Sequence, residues 1–484
     1  MSRVDDGPRV DAGNRLDSVS RVNRLDRVNQ ATSIPSQTDP QAAGLRDREA
    51  LLLLVALAIG LFAYADVGLA LNGRVPANLP ELALIFGAGL GAAHLVVRRV
   101  APYADPVILP TAAMINGLGL ALIYRLDPYD IAARLAPASG AAPSQATYTL
   151  IGLAAFVGVL FLVRDHRRLQ RYPYLSALAG LLLVGLPAIL PASMTTLNGA
   201  SSWIILGGFQ VEPAEFGKLL LVSFFASYLH SMRDTLVVTG RSVLGLRLPR
   251  GRDLGPLVLC WVLAMLVLIR ETDLGVSMMF FGAFVIMLYL ATERASWLII
   301  GLAMFVGGAA AVAETSPHVM GRFSAWVSPF SAVGGNSRQV AQSLYAFANG
   351  GLTGTGLGLG EPYLVGFANN ADFILDTVGE ELGLFGLTAL LLAYGLITAR
   401  GFKTAMLVRD SYGKLLAAGL AAVFALEVFI TAGGVMRVIP LTGLPMPFLA
   451  VGGSALVSNW ILVAILLRIS DAAGRPPAPA LPRP

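Results

Sequence analysis

The chain has 484 residues, 55% of them hydrophobic and 13% charged, with a mean hydropathy of +0.68, which excludes a soluble globular domain and fits a polytopic membrane protein. The net charge of +5 rests on 35 basic residues, all arginines except Lys218, Lys403 and Lys414; they sit mainly in short loops, so the charge reports topology and not nucleic-acid binding. The lone cysteine, Cys260, excludes an intrachain disulfide.

Residues 1–48 alternate arginine with Asp, Ser and Asn and contain no apolar run, which predicts a disordered tail that lacks the apolar core of a signal peptide. A membrane span needs about 20 apolar residues. Twelve stretches qualify: 50–71, 80–98, 106–124, 147–163, 174–192, 213–231, 255–271, 273–292, 296–315, 373–398, 413–436 and 444–468. With the N-terminus cytoplasmic, the arginine-rich loops Arg164–Arg171, Arg233–Arg252 and Arg400–Lys414 fall inside. The loop 193–212, with no Lys or Arg, and the loop 316–371, with only Arg322 and Arg338, fall outside. That is a positive-inside pattern with both termini inside. The Pro-rich end, residues 471–484, predicts a second disordered tail.

Ahead of the sixth span, two apolar runs flank Gly207–Gly208 and predict a short hairpin. Trp203 in this segment is either an interfacial anchor or a wall of a site. Lys218 is the only lysine in a predicted span, and Glu215 lies three residues earlier on the same helix face. Burying a charge there costs roughly 2.5–3.5 kcal/mol, so the two residues either pair structurally or present a cation to a polar cavity. A point charge of that kind suits a diphosphate.

The loop 316–371 is too long for a plain connector and is read as functional or partly re-entrant. Gln339–Asn349 has helical periodicity, and the glycine-rich run that follows permits a close approach of backbone to backbone or to a ligand. It lacks the Lys-Ser/Thr ending of a P-loop. Glu361 is the only charge between Arg338 and Asp372. Asp372 therefore stands as a lone carboxylate where this loop meets an apolar span, a place where poor solvation raises a carboxylate toward the range of a general base. The bland alternative is a helix N-cap. Asp376, Glu380 and Glu381 follow at helical spacing and call for a cation, an arginine such as Arg322 or Arg437, or protonation. The four histidines are scattered, so no metal-ligand spacing is present.

Six separated motifs then combine. They are NGASSWIILGGFQVEPAEFGK (198–218), Asp273-Leu274-Gly275, Arg322-Phe323…Trp326…Pro329, Gln342-Ser343 with the glycine run, ADFILDTVGEELGLFG (371–386) and TGLPMPFLAVGGSALVSN (442–459). In this order they resemble the SEDS family (shape, elongation, division and sporulation), the peptidoglycan polymerases that include RodA and FtsW. The resemblance runs from about residue 105 to 470. It implies an all-α polytopic membrane protein with a ten-helix core (105–470), two additional helices in 49–104, about 12 transmembrane helices in all, and a large extracytoplasmic loop. The N-terminal addition resembles actinobacterial RodA-type members more than FtsW. Departures from the family pattern are Ser202, Glu212, Ala214, Asn370, Asp376 and Ala450-Val451.

The resemblance further implies polymerisation of lipid II at the outer face of the cytoplasmic membrane, with inversion at the anomeric carbon and one base, Asp372. It implies a diphosphate-binding cation, for which Lys218 oriented by Glu215 is the first candidate and Arg322 or a divalent cation such as Mg or Mn the alternatives. Trp203, Gln342, Glu380 and Glu381 complete the expected substrate site, and no protein-held metal is assigned. The implied partner is a class B penicillin-binding protein; lipids surround the chain, and nucleic acid plays no part. A lipid II flippase, a division polymerase like FtsW and a recruiting scaffold are the rival readings.

Overall fold

The computed structural model describes residues 40–132, 140–195, 202–206, 209–238, 240–243, 246–249, 251–270, 274–331, 335–366 and 368–476. Most of the expected N-terminal tail, residues 477–484, Asn198–Ser201, Gly207–Gly208 and Asp273 lie outside them.

The described chain is helical apart from two short hairpins. The first helices are α1 (Pro40–Asn72), α2 (Leu79–Val100), α3 (Ile108–Ala132), α4 (Ala142–Leu162) and α5 (Pro173–Ile189). Then come α6 (Pro213–Val238), α7 (Gly251–Arg270), α8 (Leu274–Thr292), α9 (Ser296–Thr315), α10 (Pro317–Val327) and α11 (Gly335–Gly350). The last are α12 (Ile374–Glu381), α13 (Gly383–Leu407), α14 (Ser411–Val435) and α15 (Gly453–Gly474). The expected hairpin before α6 is present: β1 (Ile204–Leu206) pairs antiparallel with β2 (Phe209–Val211), Ile204 opposite Val211. A second hairpin, β3 (Gly240–Val243) with β4 (Leu246–Pro249), follows α6.

Each of the twelve hydropathy stretches contains helix, though not always one helix over its full length. Among the described residues, eight helices are long and apolar enough to cross a membrane: α1 to α4, α8 and α13 to α15. α5 and the first part of α9 are shorter apolar helices. Burial orders them. The apolar windows of α3, α14 and α15 are 83, 78 and 83% buried, so these helices form the centre. Those of α1 and α2 are only 33 and 22% buried, so this pair packs on the outside, α1 against α3 and α2 against α4.

The helix boundaries differ from the hydropathy reading at several places. α1 begins at Pro40, nine residues before the expected domain boundary at 49, because Arg46 and Glu49 are both buried and joined to each other. Arg46 also donates to the Ala104 carbonyl, and His94 on α2 lies 2.8 Å from Glu49, so one polar cluster ties the added pair to the core. The last predicted span starts as a helix only at Gly453. The stretch 373–398 is two helices, broken at Gly383, whose φ is +66°.

The break has a physical cause. The glycine-rich run wraps the end of α12, with Thr355 N–H donating to the Glu380 carbonyl (3.0 Å) and Gly356 N–H to that of Glu381 (2.9 Å). In return, the N–H groups of Leu384 and Phe385 at the start of α13 donate to the carbonyls of Gly351 and Leu352. The backbones come so close that a Cβ at Gly350 would lie 2.0 Å from the Gly379 carbonyl oxygen. Only glycine fits there.

Glu381 completes the wrap. Its carboxylate accepts from Arg125 Nε on α3 (2.8 Å), from Gly358 N–H (2.8 Å) and from Gly360 N–H (3.3 Å), while Arg125 Nη2 donates to the Gly360 carbonyl (2.7 Å). Both side chains are buried. Arg125→Met leaves the Glu381 charge buried without its cation, and we expect a loss of about 3–5 kcal/mol, read as a lowered thermal transition of the detergent-solubilised protein.

Candidate active site

Asp372 sits in a turn, not on a helix. Ala371 N–H and Phe373 N–H both donate to the Ala368 carbonyl, and Ala368 takes a positive φ of 66°. The N-cap of α12 is Phe373, with no side-chain cap. The N-cap role considered for Asp372 is therefore not the one it has, and Asp372 does not share the α12 face with Asp376 and Glu380. The turn is fixed from two sides: Asn370 Nδ2 donates to Asp130 Oδ2 on α3 (2.8 Å), and Val451 N–H donates to the Asn370 carbonyl (2.9 Å).

Asp372 lines a cleft of about 120 Å³. Arg322 from α10 reaches it, donating from Nη1 to the Thr442 carbonyl at 2.6 Å. Trp203 and Glu212, on either side of the hairpin, form another wall, and the segment from Thr442 to Val451 forms the floor. Glu212 N–H is held by Ser454 Oγ (2.9 Å), and Gln145 on α4 donates to the Ala450 carbonyl (3.0 Å). Gly443 has a φ of +84°, and a Cβ added to it would lie 3.1 Å from Arg322 Nη2 and 3.7 Å from Asp372 Oδ2. The base candidate and the guanidinium thus face one small space.

Of the residues read from the sequence, Asp372, Arg322 and Trp203 meet here. Lys218, Glu215, Gln342, Glu380 and Glu381 do not line the cleft. Lys218 is only 1% exposed, and its ammonium donates to Glu215 Oε2 (2.6 Å) and to both oxygens of Glu427 (3.0 Å each). Two carboxylates from α6 and α14 therefore hold it inside the bundle, and the expected cation facing a cavity is instead a buried triad. Glu427 was legible as the lone acid within the stretch 413–436, a position that marks a polar partner. Gln342 lies on α11.

The acids of α12 also find partners other than those expected. Glu381 pairs with Arg125, whereas Arg437 donates to the carbonyls of Trp326 and Val327. The hydropathy stretch ends at 124, one residue short of Arg125, whereas the helix continues to Ala132. Glu380 accepts from Asn349 Nδ2 (2.9 Å). Asp376, on this short helix outside the spanning ones, is fully buried; burial pushes its carboxyl well above the usual carboxylate range, opposed by the Thr377 N–H and reinforced by the charge of Glu380. Glu381 is held by Arg125 and two backbone N–H groups. Among the described residues, no group of three or more His, Cys, Asp or Glu is arranged to hold a metal ion.

Fold and cleft together define a multi-pass helical membrane protein with a carboxylate and a guanidinium gathered at one end of its bundle. The chain belongs to the FtsW/RodA/SpoVE family, described as "Cell cycle protein", whose sequence model matches residues 106–474. It is similar to the peptidoglycan glycosyltransferase RodA of Mycobacterium tuberculosis (strain ATCC 25618 / H37Rv), 46% identical over 91% of this chain and 94% of that one. The RodA of Mycobacterium leprae (strain TN) is 45% identical over 89% of this chain and 91% of its own. A probable peptidoglycan glycosyltransferase FtsW of Trichlorobacter lovleyi is 28% identical over 77% of this chain and 94% of its own. The fold also matches a solved chain from work on the structural coordination of polymerization and crosslinking by a peptidoglycan synthase complex. That chain gives a TM-score of 0.51 at 22% identity, over 81% of this chain and 96% of its own.

Gly443→Ala introduces a methyl group between Arg322 and Asp372 at a φ that disfavours it. We expect glycan synthesis to fall at least about tenfold, a change equivalent to about 1.4 kcal/mol. A thermal transition close to wild type would show that the loss arises at the cleft.

Proposed function

We propose that the chain polymerises lipid II into glycan strands with Asp372 as general base. That it is a peptidoglycan glycosyltransferase follows from its family and from 46% identity over 91% of the chain to mycobacterial enzymes of that name. The observation that carries the finer reading is the cleft in which Asp372 and Arg322 face the same small space. In lipid II a disaccharide is α-linked to an undecaprenyl diphosphate. Attack by the 4-hydroxyl of one sugar on the anomeric carbon of another forms the β-glycosidic bond and expels the lipid diphosphate, an inversion in a single displacement. Asp372 takes the hydroxyl proton, a role that contributes about 10²–10⁴-fold. The departing diphosphate needs positive charge, and Arg322 supplies it from the cleft wall. Lys218, neutralised by Glu215 and Glu427, instead holds α6, α14 and α15 together through its own bonds and that of Asn459 to Glu427.

The loops rich in arginine support a topology with both termini on the cytoplasmic side and the cleft on the outer side. Lipid-linked sugars are presented to the cleft there. The likeness to a chain of a synthase complex supports pairing with a class B penicillin-binding protein that crosslinks the new strand. Higher identity to RodA than to FtsW relatives supports a role in elongation.

Purified Asp372→Asn protein is expected to lose about 10²–10⁴-fold in lipid II polymerisation, scored as glycan strands on gels; near-normal strands would eliminate the base. Arg322→Gln should lower turnover most at low lipid II. Lys218→Met is expected to act on stability instead, by about 3–5 kcal/mol, leaving KM for lipid II near wild type in the protein that still folds. A raised KM with an unchanged thermal transition would return the diphosphate role to Lys218.

A further inference from the structure

The two added helices do more than cover the core. Between them and the core lies a cavity of about 490 Å³, separate from the Asp372 cleft and within the size range of small-molecule sites. The family match begins at residue 106, so the wall formed by Tyr64, Asn78, Glu81 and Ile85 is absent from the family core. The opposite wall comes from α3 and α4. Tyr64 of α1 stacks on Tyr124 of α3 with ring centroids 4.4 Å apart, and Asn78 Nδ2 donates to the Tyr64 hydroxyl (2.9 Å), so the two walls are locked together.

The lining is graded along the helix axes. Near the helix ends are Glu81 in the first turn of α2, Asp127 in the last turns of α3, and Thr147 in the second turn of α4. Deeper are Ile85, Leu120 and Leu150, the last of them eight residues, or roughly 12 Å, into α4. The polar end is the end that carries the active site, since Asp130, three residues beyond Asp127, accepts from Asn370 beside Asp372. Among the described residues that line it, two are carboxylates and none is Lys or Arg. Asp127 is buried and fixed by the N–H groups of Ala141 and Ala142, whereas Glu81 is exposed and has no ion-pair partner among the described residues. Leu150 at the apolar end, with Ile151 and Leu84 on the same helices, is exposed on the surface that meets lipid.

We propose that this cavity is a binding site for a membrane phospholipid with a primary ammonium head group, its amine between Glu81 and Asp127 and an acyl chain along Ile85, Leu120 and Leu150. The polar-to-apolar gradient matches an amphiphile, and Leu150, exposed at the apolar end of the lining, marks its path from the bilayer. The excess of carboxylates selects an ammonium head and disfavours a head with net negative charge. By occupying the seam between α1–α2 and α3–α4, the lipid would join the added pair to the core at the end that holds the cleft. The proposal is independent of the lipid II reading, because its readout is lipid binding and not turnover.

The test is native mass spectrometry of the full-length protein in detergent, titrated with short-chain phosphatidylethanolamine or phosphatidylglycerol. The wild type is expected to retain phosphatidylethanolamine preferentially. Glu81→Gln, at an exposed position where folding is unaffected, should weaken that retention about fivefold. Ala146→Phe, which fills the cavity from α4, should abolish it, and both variants should keep wild-type polymerisation in detergent. Equal retention by wild type and both variants, or a preference for phosphatidylglycerol, would overturn the site. Displacement of the bound lipid by a soluble amine-bearing peptide but not by added phosphatidylethanolamine would assign the amine to a peptide and overturn the lipid.

Discussion

The buried carboxylate of Glu381 is the interaction on which the functional end of this molecule depends. A single carboxylate organises a loop of glycines that has almost no side chains with which to organise itself. Two of its bonds run to the backbone N–H groups of Gly358 and Gly360, and a third to the guanidinium of Arg125, which in turn holds the Gly360 carbonyl. The glycines are required because the loop backbone lies directly on the backbone of α12. The same contacts supply partners for the first N–H groups of α13 and so permit a helix break within an apolar region, where unpaired backbone groups are costly. The turn carrying Asp372 precedes α12, so its position is inherited from this anchorage.

Charge inside the bundle is divided between two tasks. Lys218, Glu215 and Glu427 are fully enclosed and satisfy one another, with Asn459 on α15 completing the set. Such a group specifies which helices pack together, because removing one member leaves the others buried and unpaired. Asp372 and Arg322 are less enclosed and border a cleft. The one pair thus borders open space, and the other charges are sealed inside the bundle. The same logic recurs at the opposite end of the added helices, where Arg46, Glu49 and His94 join α1 and α2 to the segment leading into α3.

The departures from the family pattern acquire meaning from their neighbours. Asn370 holds Asp130 and thereby ties the turn that carries Asp372 to α3. Glu212 adds a second carboxylate to the cleft wall. Asp376 is an additional buried acid next to Glu380, and its burial favours the neutral form. Two of these three residues touch α3 or the cleft.

The helical stretches, the hairpin before α6, the short helix around Gln339–Asn349 and the family are legible in one dimension, because each depends on local periodicity, turn residues or motifs of adjacent residues. The sequence also singled out Asp372, since a lone carboxylate between a glycine-rich loop and an apolar run is visible there. The partners emerge only in three dimensions: Glu381 meets Arg125 and not Arg322 or Arg437, Lys218 meets Glu427, and Arg322 is the cation beside Asp372. Those pairs are separated by tens to hundreds of residues, and several alternatives of equal charge lay at similar depth. Which of them meet is set by the packing of whole helices against one another, a property that no local pattern encodes.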